Sequence, residues 1–360
     1  MSLIFLACGK RAASLCERDH KIQLWSMQSE RFEEIHPPIE HVPVVNALAA
    51  SKDGKWILSG DDDGVVMIWD AMTHPIQKAG EFKAAKGDGC KITTLDISPD
   101  PSRVVVGSGN GSISVWRIET RECMLGPLQY QNLSPVSSVK FSPAGGRIAS
   151  GHLAVGGSDR SIRLWHSHTG AQLESVRNPY STYSLAWSVD GHRLFAGGPD
   201  GSIRCFNVVT RTLVEWRAPS IRDLITFLCV SNSGQLLVSV SSGRSGAIDI
   251  WNILTTPPRK PLRSRNDVFM ASVSPDNTRL ITLGRDNDIA SWNLSSLIHG
   301  TYLLHVSNAV LFRAHHFHPS PQRLSLSPTR SNPVSASVWT ESCFHSSYFE
   351  HSLRTLVTQY

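Results

Sequence analysis

The sequence lacks long hydrophobic runs and ordered cysteine motifs. No stretch approaches the roughly 20 apolar residues that a transmembrane helix needs, so no membrane association is predicted. The seven cysteines include no Cys-x-x-Cys pair and are odd in number, which argues against a zinc site or a disulfide framework. The apolar stretch Leu3–Cys8 is shorter than a secretory signal requires and has no basic residue before it. We therefore expect a strand there, in a cytoplasmic protein, with a nuclear location as the alternative.

Motifs for phosphate binding and nucleophilic catalysis are also missing. The chain has neither the G-x-x-x-x-G-K-[ST] loop nor the G-x-S-x-G elbow. The glycine-rich run Gly107–Gly111 is followed by the alternating residues Ser112–Trp116, which predict a hairpin turn rather than a nucleotide loop. The 35 basic and 30 acidic residues give a net charge of +5 without a basic stripe. Neither specific nucleic-acid binding nor a cofactor is therefore predicted.

What the sequence does contain is a sevenfold repeat. Short apolar runs end in an aromatic residue every 41 to 49 residues, and a turn-forming residue stands six positions before each aromatic. A period of about 40–45 residues with such an aromatic is the sequence signature of a four-stranded propeller blade. The seven pairs are Asp19 and Trp25, Asp63 and Trp69, Asn110 and Trp116, Asp159 and Trp165, Asp200 and Phe206, Ser245 and Trp251, and Asp286 and Trp292.

Each repeat predicts four short strands. In the second repeat the runs Val45–Ala50, Trp56–Ser59 and Val65–Trp69 are separated by turns that contain glycine, and a fourth strand is expected around Gln77–Phe82. A serine marks the first turn of six repeats. These serines are Ser51, Ser98, Ser142, Ser188, Ser231 and Ser274.

On these residues the chain resembles the WD-repeat family of β-propellers. Trp69-Asp70 matches the dipeptide that names the family, and Ser98–Asp100 and Ser274–Asp276 match its turns. The resemblance covers about residues 3–305. It implies an all-β fold, a seven-bladed β-propeller of four-stranded antiparallel blades, whose usual task is to hold proteins or peptides together in complexes.

The chain also departs from the family pattern. Only one repeat keeps Trp-Asp, and the Gly-His that the family carries before the first strand is absent, although His41 stands alone at the corresponding place. Asn110 and Ser245 replace the turn aspartate in the third and sixth repeats, which predicts weaker turns there.

The repeat motif has a physical sense of its own. A buried tryptophan needs an acceptor for its indole N–H, and a buried carboxylate needs donors. In the second repeat we expect one hydrogen-bonded chain through His41, Ser59, Asp63 and Trp69. A His–Asp–Ser set also suggests a hydrolase, but a catalytic triad is recognised by geometry rather than by residue types. The predicted structural motif residues are His41, Ser59, Asp63, Trp69, Asp159, Trp165, Asp200, Asp286 and Trp292.

The two chain ends raise separate questions. The first blade is predicted to own its first strand at Leu3–Ala7, and the seventh to find its fourth at Tyr302–His305, so that side-chain packing alone closes the ring. The alternative is that a strand preceding this sequence is missing. The propeller is thus assigned to residues 1–305. Residues 306–360 contain many Ser, Pro and His residues and predict a weakly structured tail, with a degenerate eighth repeat as the alternative.

Two clusters in the sequence invite a chemical interpretation. The histidines His315, His316 and His318 lack the spacing of a metal site, so no metal is predicted. The basic segment Arg259–Arg265 reads as a solvated outer strand and loop, with an acidic partner or a nuclear address as the alternative.

Loops at one end of the blades form the predicted partner-binding surface. Basic residues recur near the ends of the fourth strands, and in a propeller these ends meet on one face, so we expect that face to be basic. Arginines and aromatics are the usual energetic anchors of protein interfaces. The predicted partner-binding residues are Lys83, Tyr130, Arg160, Tyr180, Arg222 and Arg244.

The sequence therefore predicts a non-catalytic scaffold that binds protein or peptide partners through loops of a propeller face. One alternative is the sensor or recognition propeller of a larger signalling protein. The other is a propeller enzyme such as a quinone-dependent dehydrogenase, because a fold alone does not set function. The absence of paired carboxylates, of a metal-ligand set and of a nucleophile motif disfavours the enzyme.

Overall fold

The computed structural model describes most of the chain up to residue 312. The described residues are 2–6, 9–15, 21–27, 33–41, 43–128, 134–152, 160–217, 223–242, 247–253, 262–263, 268–284, 289–294 and 310–312. All regular structure in these ranges is β-strand.

Four kinds of strand recur. The first strands are β1 (Ser2–Phe5), β5 (Val45–Ala50), β9 (Ile92–Ile97), β13 (Val136–Phe141), β17 (Ser184–Trp187), β21 (Leu224–Val230) and β25 (Val268–Val273). The second strands are β2 (Arg11–Leu15), β6 (Trp56–Asp61), β10 (Arg103–Ser108), β14 (Arg147–His152), β18 (Arg193–Gly197), β22 (Leu236–Ser242) and β26 (Arg279–Gly284).

The outer half of each sheet follows in the same order. The third strands are β3 (Lys21–Ser26), β7 (Val65–Asp70), β11 (Ile113–Arg117), β15 (Ser161–His166), β19 (Ser202–Asn207), β23 (Ala247–Asn252) and β27 (Ile289–Asn293). The fourth strands are β4 (Glu33–Glu40), β8 (Gln77–Lys83), β12 (Cys123–Leu128), β16 (Gln172–Arg177), β20 (Thr212–Arg217), β24 (Leu262–Arg263) and β28 (Val310–Phe312).

These strands form seven four-stranded antiparallel sheets, and each sheet uses four strands that are consecutive in the chain. Each first strand contacts the first strand of the next blade, and β25 contacts β1, so the seven sheets close into a ring. The predicted seven-bladed β-propeller is confirmed.

Apolar side chains between neighbouring sheets hold the ring together. The strands β6 and β10 are buried almost along their whole length because their sheets pack against other sheets on both faces. Between the second and third blades, for example, Leu58 and Val66 pack with Ile92 and Val104. Burying each such side chain stabilises the fold by about 1.5–3 kcal/mol.

The ring closes by side-chain packing, without a shared sheet. The strand β1 pairs with β2 inside the first blade. Leu3 and Trp25 of that blade pack against Ile281 and Leu283 of the seventh. The first and seventh blades are therefore joined by side-chain packing, as the other neighbouring blades are.

The fourth strand of the seventh blade is β28, which pairs with β27. It lies beyond the boundary expected at residue 305, so the propeller extends at least to Phe312. The expected position of this strand, Tyr302–His305, lies outside the described residues, as do the histidine cluster and the rest of the tail.

The first-turn serines shape the turns between first and second strands. Ser98 Oγ accepts a hydrogen bond from the backbone N–H of Arg103 at 3.0 Å and donates one to Asp100. The same serine–aspartate pair recurs in three further blades, at Ser51 and Asp53, Ser188 and Asp190, and Ser274 and Asp276. Such side-chain bonds to nearby backbone fix a turn locally.

Arginines at the start of second strands reach into the next blade. Arg11 Nη1 donates to the Ala71 carbonyl at 3.1 Å, and Arg193 Nη1 donates to the Ile253 carbonyl at 3.0 Å. Both acceptors stand two residues after the closing tryptophan of the neighbouring blade. The guanidinium therefore adds a polar link to an interface that is otherwise apolar.

Candidate functional site

The two faces of the propeller carry different connections. We call top face the end that carries the loops after the fourth strands and the turns between second and third strands. The bottom face carries the turns between first and second and between third and fourth strands. Because every blade has the same strand order, equivalent loops of all blades gather on one face.

The repeat motif of the second blade lies inside the sheet packing near the top face. Trp69 Nε1 donates to Ser59 Oγ at 2.8 Å, and Ser59 is fully buried. The His41 ring is 6.1 Å from the Trp69 ring, between centroids, and its Nδ1 lies 3.0 Å from the Pro43 carbonyl oxygen. These contacts bring His41, Ser59 and Trp69 together, but His41 is not hydrogen-bonded to Ser59 as expected: its Nδ1 pairs with Pro43, and its Nε2 has no hydrogen-bond partner among the described residues.

The buried carboxylate of this blade is Asp61, and Asp63 is exposed in the turn. The expected place of Asp63 in the buried chain therefore needs correction. Asp61 ends β6 with its side chain directed inward, and its Oδ1 accepts a hydrogen bond from the Val65 backbone at 2.8 Å. Burial raises the pKa of Asp61, and burial likewise lowers the pKa of His41, because both charged forms are disfavoured there.

The other motif residues repeat part of this arrangement. Trp165 Nε1 donates to Ser150 Oγ at 3.0 Å, and Trp292 Nε1 donates to Thr282 Oγ1 at 3.1 Å. Asp200 occupies the turn of the fifth blade, where it accepts a hydrogen bond from Ser202 Oγ at 2.7 Å. Asp159 and Asp286 lie outside the described residues.

The top face carries a cluster of arginine and tyrosine side chains where the fourth and fifth blades meet. At its base Arg204, only 3% exposed, places Nη2 at 2.6 Å from Asp200 Oδ2. The Arg204 guanidinium carbon lies 5.2 Å from the centre of the Tyr180 ring, which is 41% exposed. The buried ion pair thus supports an aromatic ring that faces solvent.

Exposed guanidinium groups surround this ring. Arg160, which directly precedes β15, donates from Nη1 to the Pro179 carbonyl at 2.6 Å beside Tyr180. Arg217, at the end of β20, contacts Glu215 and has a side chain that is 66% exposed. The structure therefore brings two predicted partner-binding residues, Arg160 and Tyr180, into one cluster.

Electrostatics keep the base of the cluster charged. Burial alone would raise the pKa of Asp200, but hydrogen bonds from Arg204 and Ser202 outweigh it, so the pKa lies below its ordinary value. Asp200 is therefore ionised at neutral pH and neutralises Arg204. The exposed Arg160 and Arg217 lie at the rim of the cluster, where Arg217 is paired with Glu215.

The remaining predicted partner-binding residues are distributed differently. Lys83 is exposed at the end of β8, on the top face of the second blade, and is not part of the cluster between blades four and five. Tyr130, Arg222 and Arg244 lie outside the described residues. The sequence did not indicate Arg204. Sequence alone does not distinguish a buried arginine in a strand from an exposed one, and the contact with Asp200 becomes visible only in the structure.

The ring centre opens at the bottom face. A cavity of about 660 Å³ is lined by first-strand and first-turn residues of all seven blades. On its wall Lys140 Nζ lies 3.0 Å from Asp96 Oδ1, which links the third and fourth blades. Lys52 is a further charged residue of the same wall.

Across the part of the chain that the structure describes, no set of three or more His, Cys, Asp or Glu side chains is arranged to hold a metal ion. In the same ranges there is no helix with the length and hydrophobicity needed to cross a membrane.

The sequence is similar to several characterised proteins. It matches the family described as "Nucleolar protein 10-like, N-terminal domain" over residues 10–208, more than half of the chain. Autophagy-related protein 16 of Arabidopsis thaliana is 22% identical over 66% of this chain and 45% of the relative. Actin-interacting protein 1 of Caenorhabditis elegans is 24% identical over 76% of this chain and 44% of the relative.

A third relative, eukaryotic translation initiation factor 3 subunit I of Scheffersomyces stipitis, is 23% identical over 46% of this chain and 48% of its own length. The matched region therefore spans less than half the length of each of these three relatives.

Proposed function

This chain belongs to the WD-repeat β-propellers, in the family of nucleolar protein 10-like N-terminal domains, and from that membership we propose that it is a non-catalytic scaffold for protein partners. Propellers of this kind separate a stable frame from loops that are free to vary. The partner-binding site in this proposal is the cluster of Arg160, Tyr180, Arg204 and Arg217 on the top face.

One observation carries the proposal: the exposed ring of Tyr180 rests on the buried ion pair of Arg204 and Asp200. A side chain held in place by a buried neighbour loses little conformational entropy when a partner binds. Tyrosine and arginine are also enriched among residues that dominate binding energy. The pairing of a supported aromatic with exposed arginines suits an acidic peptide segment of a protein partner.

A comparison of captured proteins tests this site. The tagged wild-type chain, Arg160→Ala and Tyr180→Ala are used to capture partners from extract, and the captured proteins are quantified by mass spectrometry. We expect a set of partners with acidic segments to fall about fivefold or more in both variants, which corresponds to about 1 kcal/mol of binding energy.

Arg117→Ala is the matched control, because Arg117 is also a partly exposed arginine but ends β11 at the bottom face. It should leave the captured set unchanged. Equal losses in Arg117→Ala and Arg160→Ala, or no loss in either, would contradict the top-face site. Binding through Arg160 should also weaken as salt is raised.

The proposal extends to location and catalysis. The family description includes a nucleolar protein, which favours a nuclear location over a cytoplasmic one. Imaging of a fluorescent fusion of the whole chain tests this, and exclusion from the nucleus would reject it. A broad activity screen tests the non-catalytic role, and turnover that disappears on substitution of a channel-lining residue would reject that part.

A further inference from the structure

The fourth strands form the outer rim of the propeller, and most of those described carry a feature that hinders pairing with another chain. Pro37 and Pro38 interrupt β4, and Pro127 interrupts β12. β24 and β28 have two and three residues. Proline, irregularity and short length are the usual protections of an exposed sheet edge.

The second and fourth blades are protected in another way. β8 and β16 are each displaced in register against their third strands. In addition, Arg121 of the third blade donates to the Ala79 carbonyl of β8 at 2.7 Å. A Cβ added at Gly80 would lie 2.4 Å from the Arg121 guanidinium carbon, so this side chain lies directly against the strand.

Among the described fourth strands, β20 differs on every count. All six of its residues pair with β19 without a register shift, and it contains no proline. Two apolar side chains on opposite sides of the strand remain exposed, Leu213 at 43% and Val214 at 52%. A regular edge without proline or register shift offers backbone N–H and C=O groups in the spacing that another strand needs.

We propose that the outer edge of β20 binds an extended segment of a protein partner by strand addition. Backbone hydrogen bonds supply the affinity in this binding mode, and alternate side chains supply the specificity. The segment carries apolar residues that cover Leu213 and Val214. It also carries acidic residues towards both of its ends.

The charges at the two ends of β20 specify those acidic residues. Arg211, just before the strand, has a side chain 76% exposed, and Arg217 at its end has one 66% exposed. Arg211 approaches Glu174 only to 3.7 Å, and Arg217 contacts Glu215. Each guanidinium has five N–H donors, so each retains donors for a carboxylate of the partner.

The same charges argue against a second copy of this chain. A symmetric dimer would pair the two β20 strands antiparallel. In the symmetric register that places Val214 opposite Val214 of the other copy, Arg211 lies directly opposite Arg217 at both ends of the paired strands. Like charges on neighbouring strands destabilise the pairing, whereas an acidic partner segment is stabilised by both arginines.

This edge shares Arg217 with the Arg160 and Tyr180 site, but its test uses Leu213 and a separate probe, so the two proposals can fail separately. The probe for the edge is a fluorescein-labelled peptide with alternating valine and threonine at its centre and glutamates at both ends. Its binding to the full-length chain is measured by fluorescence anisotropy. We expect Leu213→Lys to weaken binding about tenfold or more, because a lysine on an edge strand opposes pairing.

Leu173→Lys is the matched control, since Leu173 occupies the corresponding position of β16 and is 47% exposed. It should change the affinity less than about twofold. Thermal melting of both variants shows that neither is unfolded. Equal losses in the two variants, or no binding of the probe to the wild-type chain, would overturn the proposal.

Two altered probes test the binding mode. N-methylation of alternate probe residues along one edge should abolish binding, while N-methylation along the other edge should preserve it, because a strand pairs through one edge only. Lysines in place of the glutamates should weaken binding about tenfold. Indifference to either change, or a concentration-dependent dimer of the wild-type chain that Leu213→Lys dissociates, would overturn the proposal.

Discussion

The second and fifth blades build the same sheet around different polar interiors. In the second, Trp69 donates to Ser59, and the buried carboxylate is Asp61. In the fifth, Phe206 replaces the tryptophan, and Ala196 stands at the strand position that corresponds to Ser59. The donor and its acceptor are therefore both absent from the fifth blade.

The fifth blade contains a different polar contact. Its turn aspartate, Asp200, pairs with Arg204, and Gly198 stands where the second blade has Asp61. The comparison shows that different sets of polar residues can occupy the space between sheets, and that one buried atom of the second blade, Asp61 Oδ2, has no hydrogen-bond partner among the described residues. It also shows how a blade whose aromatic is phenylalanine can support Tyr180 at the surface through a buried ion pair.

The largest expected effect is on the ion pair of the fifth blade. Arg204→Ala leaves Asp200, whose side chain is 12% exposed, without its main partner, so it should lower the free energy of unfolding by about 2–3 kcal/mol. The control Arg217→Ala removes an exposed arginine and should lower the free energy of unfolding far less. Urea denaturation measures both, and similar values would show that burial does not decide the effect.

The next effect concerns the tryptophan–serine pair of the second blade. Trp69→Phe and Ser59→Ala should each lower the free energy of unfolding by about 1–2 kcal/mol, because each leaves one buried polar group without its partner. The double variant recreates the combination of Phe206 and Ala196. Its loss should be smaller than the sum of the single losses, and strict additivity would contradict the coupling.

Smaller changes in the free energy of unfolding are expected for substitutions of Asp61 and Asp63, and their sizes should differ. Asp61→Ala removes the acceptor of the Val65 N–H and should cost about 1 kcal/mol. Asp63→Ala alters an exposed turn position and should cost less than about 0.5 kcal/mol. A larger loss for Asp63→Ala would restore the arrangement expected from the sequence.

The two blades should also respond to pH in opposite directions. Burial raises the pKa of Asp61, so protonation favours the folded state, and the stability due to this group is lost as pH rises through its folded pKa. Hydrogen bonds outweigh burial and lower the pKa of Asp200, so its stability is lost as pH falls below the ordinary carboxyl range.

Melting curves of Asp61→Asn and Asp200→Asn against the wild-type chain, taken from below the ordinary carboxyl range up to neutral pH, measure this difference. The stability of Asp61→Asn relative to wild type should rise with pH, and that of Asp200→Asn should fall. Parallel pH profiles for the two variants would contradict the assignment.

The number and order of the sheets were predictable from the sequence because the aromatic and turn positions recur at a nearly constant spacing. The same spacing misplaced the buried carboxylate of the second blade. Three consecutive aspartates occupy positions 61–63, and a count from Trp69 does not show which of them ends the strand and points inward.

The contacts between blades were not predictable in the same way. The separation of Asp200 and Arg204 in sequence is short, but their burial depends on the packing of the fifth blade against the fourth. The register shift that β16 has and β20 lacks was also not predictable from the sequence, because such a shift depends on strand pairing rather than on composition. The sequence spacing therefore predicts the number and order of the blades, whereas the contacts between neighbouring blades determine which residues are exposed.

The closure of the ring by Leu3, Trp25, Ile281 and Leu283 has a consequence for how the chain tolerates rearrangement. Since none of the described sheets takes a strand from a distant part of the sequence, the first and seventh blades are joined in the same way as other neighbouring blades. A circular permutant opened between any two blades would leave every described sheet whole. No joint between blades is therefore a preferred position for the chain ends.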